Sequence, residues 1–313
     1  ADAEAYRAYL RGRYFWNKLT GPWLDRALGE FRAAVGRDPA FARAWAGLAD
    51  TLVMLSLFGS TSPGEGWRFA REAAERAAAL DPDLAEARVS LGYVRLFQDW
   101  DWKGAEQELA RAVALSPASA EAHQWHALLL AMSGRMTEAL AEVARAQELD
   151  PLSLTVNTNA GLLLYLRQQY DPEVDPHRRT LELDPDYGPA HWALGLAYAQ
   201  QGRFDEAIAA HRRAVELWGG TAVMKAVLAR TYALAGRADE ARALLRELEA
   251  ERLSPYHLAI LHAVLGDRER ALERLAEAAA RRDHWLVWVK VVPILEPLRA
   301  DPRFEEVARA VGP

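Results

Sequence analysis

Proline recurs along this chain at a near-constant interval, and that period limits the fold more than any other feature. The steps between Pro82, Pro117, Pro151 and Pro185 are 35, 34 and 34, and three of these prolines follow Asp. Counting 34 back through an insertion at Phe58–Gly66 reaches Asp38-Pro39, and counting 34 forward from Pro185 reaches Gly219. Each mark closes an amphipathic stretch: AAALDP, AVALSP, AQELDP, TLELDP and AVELWG. Proline lacks the backbone donor that a helix needs, so the chain must stop and turn at each mark. A second break falls midway, at Gly134, Gly202, Gly236 and Gly266. Glycine enters the left-handed backbone region without steric cost, which ends one helix and lets the next begin. The unit is therefore helix, tight turn, helix, proline, with helices of about 14 residues.

The second helix of each unit carries a small–bulky–small triple at spacings of four and three, which is one helix face. The triples are Ala27/Phe31/Ala34, Ala70/Ala74/Ala77, Ala105/Leu109/Ala112, Ala139/Val143/Ala146, Ala207/His211/Ala214, Ala241/Leu245/Leu248 and Ala271/Leu275/Ala278. The first helices carry matching pairs, among them Leu48-Ala49, Leu91-Gly92, Ala160-Gly161, Leu194-Gly195, Leu228-Ala229 and Leu258-Ala259. A generic helical bundle has no reason to hold one register through eight units. The pattern resembles the tetratricopeptide repeat, which has the same period. That resemblance implies an all-α, right-handed α-solenoid of about eight helix-turn-helix units over 1–280. The units fall near 8–41, 42–84, 85–119, 120–153, 154–187, 188–221, 222–251 and 252–280. Residues 281–313 leave the pattern and are expected to cap the solenoid, with Trp285, Val287, Val289 and Val291 covering its last apolar face.

One unit departs from the rule. Without gaps, its triple becomes Glu173/His177/Thr180, and its second helix opens Asp171-Pro172-Glu173-Val174-Asp175-Pro176. Asp followed by Pro is a good helix start, but a second proline at 176 should distort the first turn. Two readings stay open: a locally kinked helix whose Glu173 tilts to solvent or pairs with His177, or a hinge or polar site joining Glu173, His177 and His211.

Lys plus Arg number 38 against 44 Asp plus Glu, a net charge of −6, which argues against direct contact with nucleic acid. The absence of cysteine excludes disulfides, thiolate metal sites and cysteine nucleophiles. No apolar run approaches the roughly 18 residues that cross a bilayer, and no signal-peptide stretch opens the chain. A cytoplasmic protein without membrane insertion is expected. The first residue is Ala rather than Met, as in a piece of a longer protein.

Stacked helix pairs curve, and the first helices line the concave side. The residues expected there are Tyr93, Phe97, Gln124, Trp125, Leu128, Asn159, Leu162, Tyr165, Trp192, Gln200 and Arg230. Aromatics supply rigid anchor area and amides can pair with a partner's main chain, so this lining suits a peptide segment. About half of these aromatics should instead pack against the next repeat. With four lysines in all, a lysine clamp for a terminal carboxylate is not expected, although Arg230 could supply one anion contact. There is no glycine-rich phosphate loop, no GxSxG and no HExxH, and no catalytic residue, cofactor or metal is assigned. His123 and His126 share a helix face but lack a third ligand, so ordinary packing is favoured for them.

Longer phrases carry a narrower resemblance: YLRGRYFWNKLT, FQDWDWKGAEQELARAV, EAHQWHALLLAMSGR, AQELDPLSLTVNTNAGLLLYLRQQYD and LRADPRF. They are similar to the C-terminal repeat region of bacterial multidomain transcriptional regulators, adenylate cyclases and protein kinases. The resemblance implies a sensory or protein-interaction scaffold in signalling rather than a catalyst, with Gln124, Trp125, Asn157 and Asn159 matching the family phrases. Two alternatives remain: a module that self-associates through an exposed strip at Trp285–Val292, and a small-molecule or metal-binding regulatory domain. The expected receptive surface is an open trough.

Overall fold

The computed structural model describes residues 2–58, 64–168, 176–251 and 253–312. The described residues are helical without strands and form eight successive helix pairs. The pairs are α1 (Ala3–Trp16) with α2 (Gly21–Arg37), α3 (Ala42–Leu57) with α4 (Glu65–Leu80), α5 (Ala85–Tyr93) with α6 (Trp102–Leu115), and α7 (Ala120–Met132) with α8 (Met136–Leu149). They continue as α9 (Leu154–Leu166) with α10 (Pro176–Leu183), α11 (Gly188–Gln200) with α12 (Phe204–Leu217), α13 (Ala222–Leu234) with α14 (Ala238–Ala250), and α15 (Pro255–Val264) with α16 (Arg268–Ala280). Two 3-10 turns, His284–Trp288 and Pro293–Leu298, lead to α17 (Pro302–Val311).

The periodic marks act as the sequence implies. Gly134, Gly202, Gly236 and Gly266 all have positive φ, between 73° and 82°. Trp100 and Gln168 occupy the same place in their units, one repeat before and one repeat after Gly134, and are left-handed too, at φ 55° and 59°. The geometry of the turn therefore persists where glycine is missing. A π-turn at Val94–Gln98 extends α5 into the turn that holds Trp100.

Each proline does more than stop a helix. The side chain six residues on donates to the proline carbonyl in five units: Trp45 to Pro39, Arg88 to Pro82, His123 to Pro117, Asn157 to Pro151 and His191 to Pro185. The carbonyl that the turn leaves without an intrahelical partner is thus satisfied by the helix that follows.

Within the units the small and bulky positions interlock. Phe31 is fully buried and sits so close to Gly12 and Gly47 that a Cβ at either would come within 3 Å of its ring. Leu109 lies likewise over Gly92, His177 over Gly161 and His211 over Gly195. The irregular unit keeps this register, since His177 and Thr180 are buried. The described part of its second helix runs Pro176–Leu183. Asp171, Pro172 and Glu173 lie outside the described residues.

The expectation of an open trough is not met. The accessible surface is 13365 Å², whereas compact monomers of 34.8 kDa expose about 13,000 Å². Contacts that cross the concave side explain the match. Lys18 pairs with Asp184 at 2.8 Å, and the rings of Phe58 and Trp218 lie 4.3 Å apart. The C-terminal segment completes the closure. Trp285 Nε1 donates to the carbonyl of Leu57 at 3.1 Å, Arg282 donates to that of Asp99 at 2.6 Å, and Trp102 Nε1 donates to that of Val311 at 2.7 Å. Leu286, Val287 and Val289 are buried, whereas Trp285 and Val291 are half-buried, so the segment turns rather than alternates as an extended strip.

Gln168 is exposed and left-handed. Gln168→Gly should stabilise the fold by about 1 kcal/mol by relieving its Cβ clash. Urea unfolding checks this, and a loss of stability would contradict the left-handed assignment.

Candidate functional site

The inner helices α5, α7, α9, α11, α13 and α15 turn one face toward the centre of the curve, and two adjoining apolar hollows lie there. The first, ≈ 100 Å³, is walled by Tyr93, Phe97, Trp125, Leu128, Thr158, Asn159, Leu162, Trp192, Trp218 and Met224 among others. The second, ≈ 90 Å³, is walled by Leu162, Tyr165, Leu166, Trp192, Val227, Arg230, Tyr256, His257 and Ile260 among others. Phe58, Leu162, Trp192, Met224, Trp285 and Trp288 border both. Phe58, Trp285 and Trp288 thus place two distant parts of the chain against the same surface.

Nine of the eleven residues expected on the concave side therefore border a hollow. Gln124 and Gln200 border neither; Gln124 is buried and Gln200 is half-buried near the end of α11. Most of the nine are buried. Trp125 is 8% exposed, with its ring edge-to-face on Tyr93 at 4.4 Å, and Tyr93 stacks on Phe97 at 5.9 Å. Trp192 and Asn159 are half-buried. Asn159 Nδ2 and Thr158 Oγ1 have no hydrogen-bond partner among the described residues. Asn157, two residues earlier, serves the fold: it donates to Pro151 and accepts from Gln147 Nε2 at 3.0 Å.

The histidines are held by packing. Burial pushes His211 down to about 3, with Arg230 adding to the shift; its ring meets Thr231 Oγ1 at 2.7 Å and the Trp192 carbonyl at 3.1 Å. Burial likewise pushes His257 down to about 4. His123 and His126 both face Glu142, at 2.6 and 3.6 Å. Among the described residues no three side chains form a metal-binding group.

Asp283 joins the C-terminal segment to α15. Its carboxylate accepts from Ser254 Oγ and from the backbone N–H groups of Tyr256 and Trp285. At the other rim, Asp50 on α3 is buried and accepts from Ser90 Oγ at 2.6 Å. Burial and then the nearby Glu121 push its carboxyl up to about 8, against the lowering effects of Ser90 and Arg13; Glu86 raises it further. Arg13 itself pairs with Glu121 at 3.2 Å.

The sequence did not mark Phe58, Trp218, Trp285 or Trp288 as lining residues. They stand at helix ends or beyond the last pair, and only closure of the curve brings them to the centre.

Family models of the tetratricopeptide repeat match residues 96–153 and 188–250. Among solved structures, yeast Tom70 is similar over 98% of this chain and 68% of its own, at 15% identity and a TM-score of 0.53. The Cut9–Hcn1 assembly of APC/C is similar over 96% of this chain and 54% of its own, at 14% identity and a TM-score of 0.65. A tetratricopeptide repeat protein from Parabacteroides merdae covers 84% of this chain and 98% of its own, at 15% identity and a TM-score of 0.53. This chain thus spans about half the length of the Cut9–Hcn1 chain it matches. No curated protein matches the sequence. The chain thus carries tetratricopeptide repeats at 96–153 and 188–250, and its helix pairs follow the fold of tetratricopeptide-repeat solenoids.

A raised carboxyl pKa fixes the sign of one pH effect. Unfolded, Asp50 ionises near 4; folded, it stays protonated to about 8. Its contribution to stability is therefore full below pH 4 and is lost as the pH rises through 8. Asp50→Asn should flatten that decline, gaining more than about 1 kcal/mol at pH 8 and little at pH 4. Denaturant melts at the two pH values check it; an equal effect at both would contradict the raised pKa.

Proposed function

We propose that this tetratricopeptide-repeat chain is a peptide-binding scaffold that takes a partner segment on its concave face. Tetratricopeptide-repeat proteins bind protein or peptide partners, and the fold is generally a non-catalytic scaffold. The observation that carries the reading to these residues is the first hollow. It joins the Trp125 and Trp192 rings with an Asn159 amide whose Nδ2 has no partner among the described residues. A partner's apolar side chain would enter the aromatic walls, and its main-chain carbonyl would accept from Asn159 Nδ2. Tyr93, Phe97, Leu128 and Leu162 form the apolar bed, and Tyr165 and Arg230 extend it toward the second hollow. Because the C-terminal segment places Trp285 and Trp288 on the same surface, a partner has to share that surface with it or displace it.

We further propose a cytoplasmic, signalling setting as the interaction or sensory region of a larger bacterial regulator, on the phrase-level likeness given above. No helix among the described residues is long and apolar enough to cross a membrane. The self-association alternative is less favoured, because Leu286, Val287 and Val289 of the proposed strip are buried within the chain.

Trp125→Ala and Asn159→Ala should each weaken capture of a partner peptide at least tenfold, which is about 1.4 kcal/mol. Isothermal titration of peptides selected against the wild-type chain measures this. Unchanged affinity in both variants would remove the concave-face assignment.

A further inference from the structure

Arg230, on α13, lines the second hollow with only 8% of its surface exposed. Among the described residues its Nε has no hydrogen-bond partner and no carboxylate pairs with it. Guanidinium does not discharge in proteins, so burial leaves a fixed positive charge without an answering anion. The groups around it do not supply one. His211 and His257 are kept neutral by burial, and burial pushes the Tyr256 phenol far above its ordinary value. The Asp283 carboxylate is occupied by Ser254 and by two backbone N–H groups. The rest of the wall is apolar or aromatic, with Leu162, Leu166, Trp192, Val227 and Ile260 among it, and its one further polar side chain is the Tyr165 phenol, which in its neutral form offers Arg230 no anion.

An unanswered cation set in an apolar wall is complementary to an anion with an apolar body. We propose that this hollow binds a small aliphatic monocarboxylate, with the carboxylate on the Arg230 guanidinium and the tail against Leu162, Leu166 and Ile260. Size selects the class. A dry apolar cavity of about 150 Å³ accommodates benzene, so ≈ 90 Å³ suits a tail of about four carbons. A monoanion suits a single guanidinium better than a phosphate does, since a dianion would lack a second cation. The adjoining ≈ 100 Å³ hollow, bordered by Trp192 and Trp288, gives a longer tail somewhere to extend. The inference goes beyond the partner-segment reading and stands apart from it: a free acid can bind whether or not a peptide does.

The test is calorimetric titration of the full chain with isovalerate, hexanoate and octanoate, each beside its methyl ester. The acids should bind at least tenfold more tightly than their esters, and Arg230→Met should erase that difference while leaving the apo protein at least as heat-stable. Ile260→Phe, which narrows the tail region and keeps the cation, should weaken hexanoate at least tenfold. It also serves as the independent variant if Arg230→Met fails to fold. The proposal is overturned if no acid binds at millimolar concentration, if acid and ester bind alike, or if either folded variant binds hexanoate as the wild type does. A peptide that binds while every acid fails would overturn this proposal and leave the concave-face reading intact.

Discussion

The contact between a bulky side chain on one helix and a glycine on the next sets the geometry of the whole chain. At Gly12 and Gly47 against Phe31, Gly92 against Leu109, Gly161 against His177 and Gly195 against His211, there is no room for a Cβ. The helices therefore approach as closely as their backbones permit. Repeated from unit to unit, a fixed approach becomes a fixed rotation. Eight such units bring the first two units against the fifth and sixth, and the C-terminal segment against the second and third, and the side chains at these junctions hold them: Lys18 on Asp184, Phe58 on Trp218 and Trp285, Trp102 against the end of α17.

Closure changes what the concave face is. In an open solenoid the inner helices would present their aromatics to solvent, whereas here most of those side chains are buried and surround small apolar hollows. Burial raises the cost of every polar atom left inside. Most are answered locally, as the proline carbonyls are by the side chains six residues on. Asn159 Nδ2 and Arg230 Nε are not, among the described residues. Groups of that kind cost stability, which sets these two apart from the side chains whose bonds serve the fold.

Much of the fold was legible in the sequence because a repeat announces itself: the proline marks, the glycines of the turn and the small–bulky–small triples each encode a contact between neighbours. Trp100 and Gln168 show how far the period outruns composition, since the left-handed turn falls on them although neither residue favours it. The central residues were legible only in part. Trp125, Asn159, Leu162, Trp192 and Arg230 followed from their place on the inner helices. Gln124 and Gln200 shared that arithmetic and missed the hollows, because a shift of one residue on a helix turns a side chain by about 100°. Asn157 looked like a groove residue, but its amide serves a proline carbonyl. Trp285 was read as part of the cap, and neither it nor Phe58, Trp218 and Trp288 could be placed at the hollows, because their meeting depends on rotation summed over several units and no local pattern carries that sum.

The central claim is that the concave face is closed by the chain's own ends. Small-angle scattering of the full polypeptide tests it most directly. A compact fold of this length has a radius of gyration of about 20 Å, and that is the value closure requires. An elongated profile with a radius near about 25 Å or above, well beyond the compact-domain scaling, would mean that the trough stands open and that the contacts of Phe58, Trp285 and Trp102 do not form.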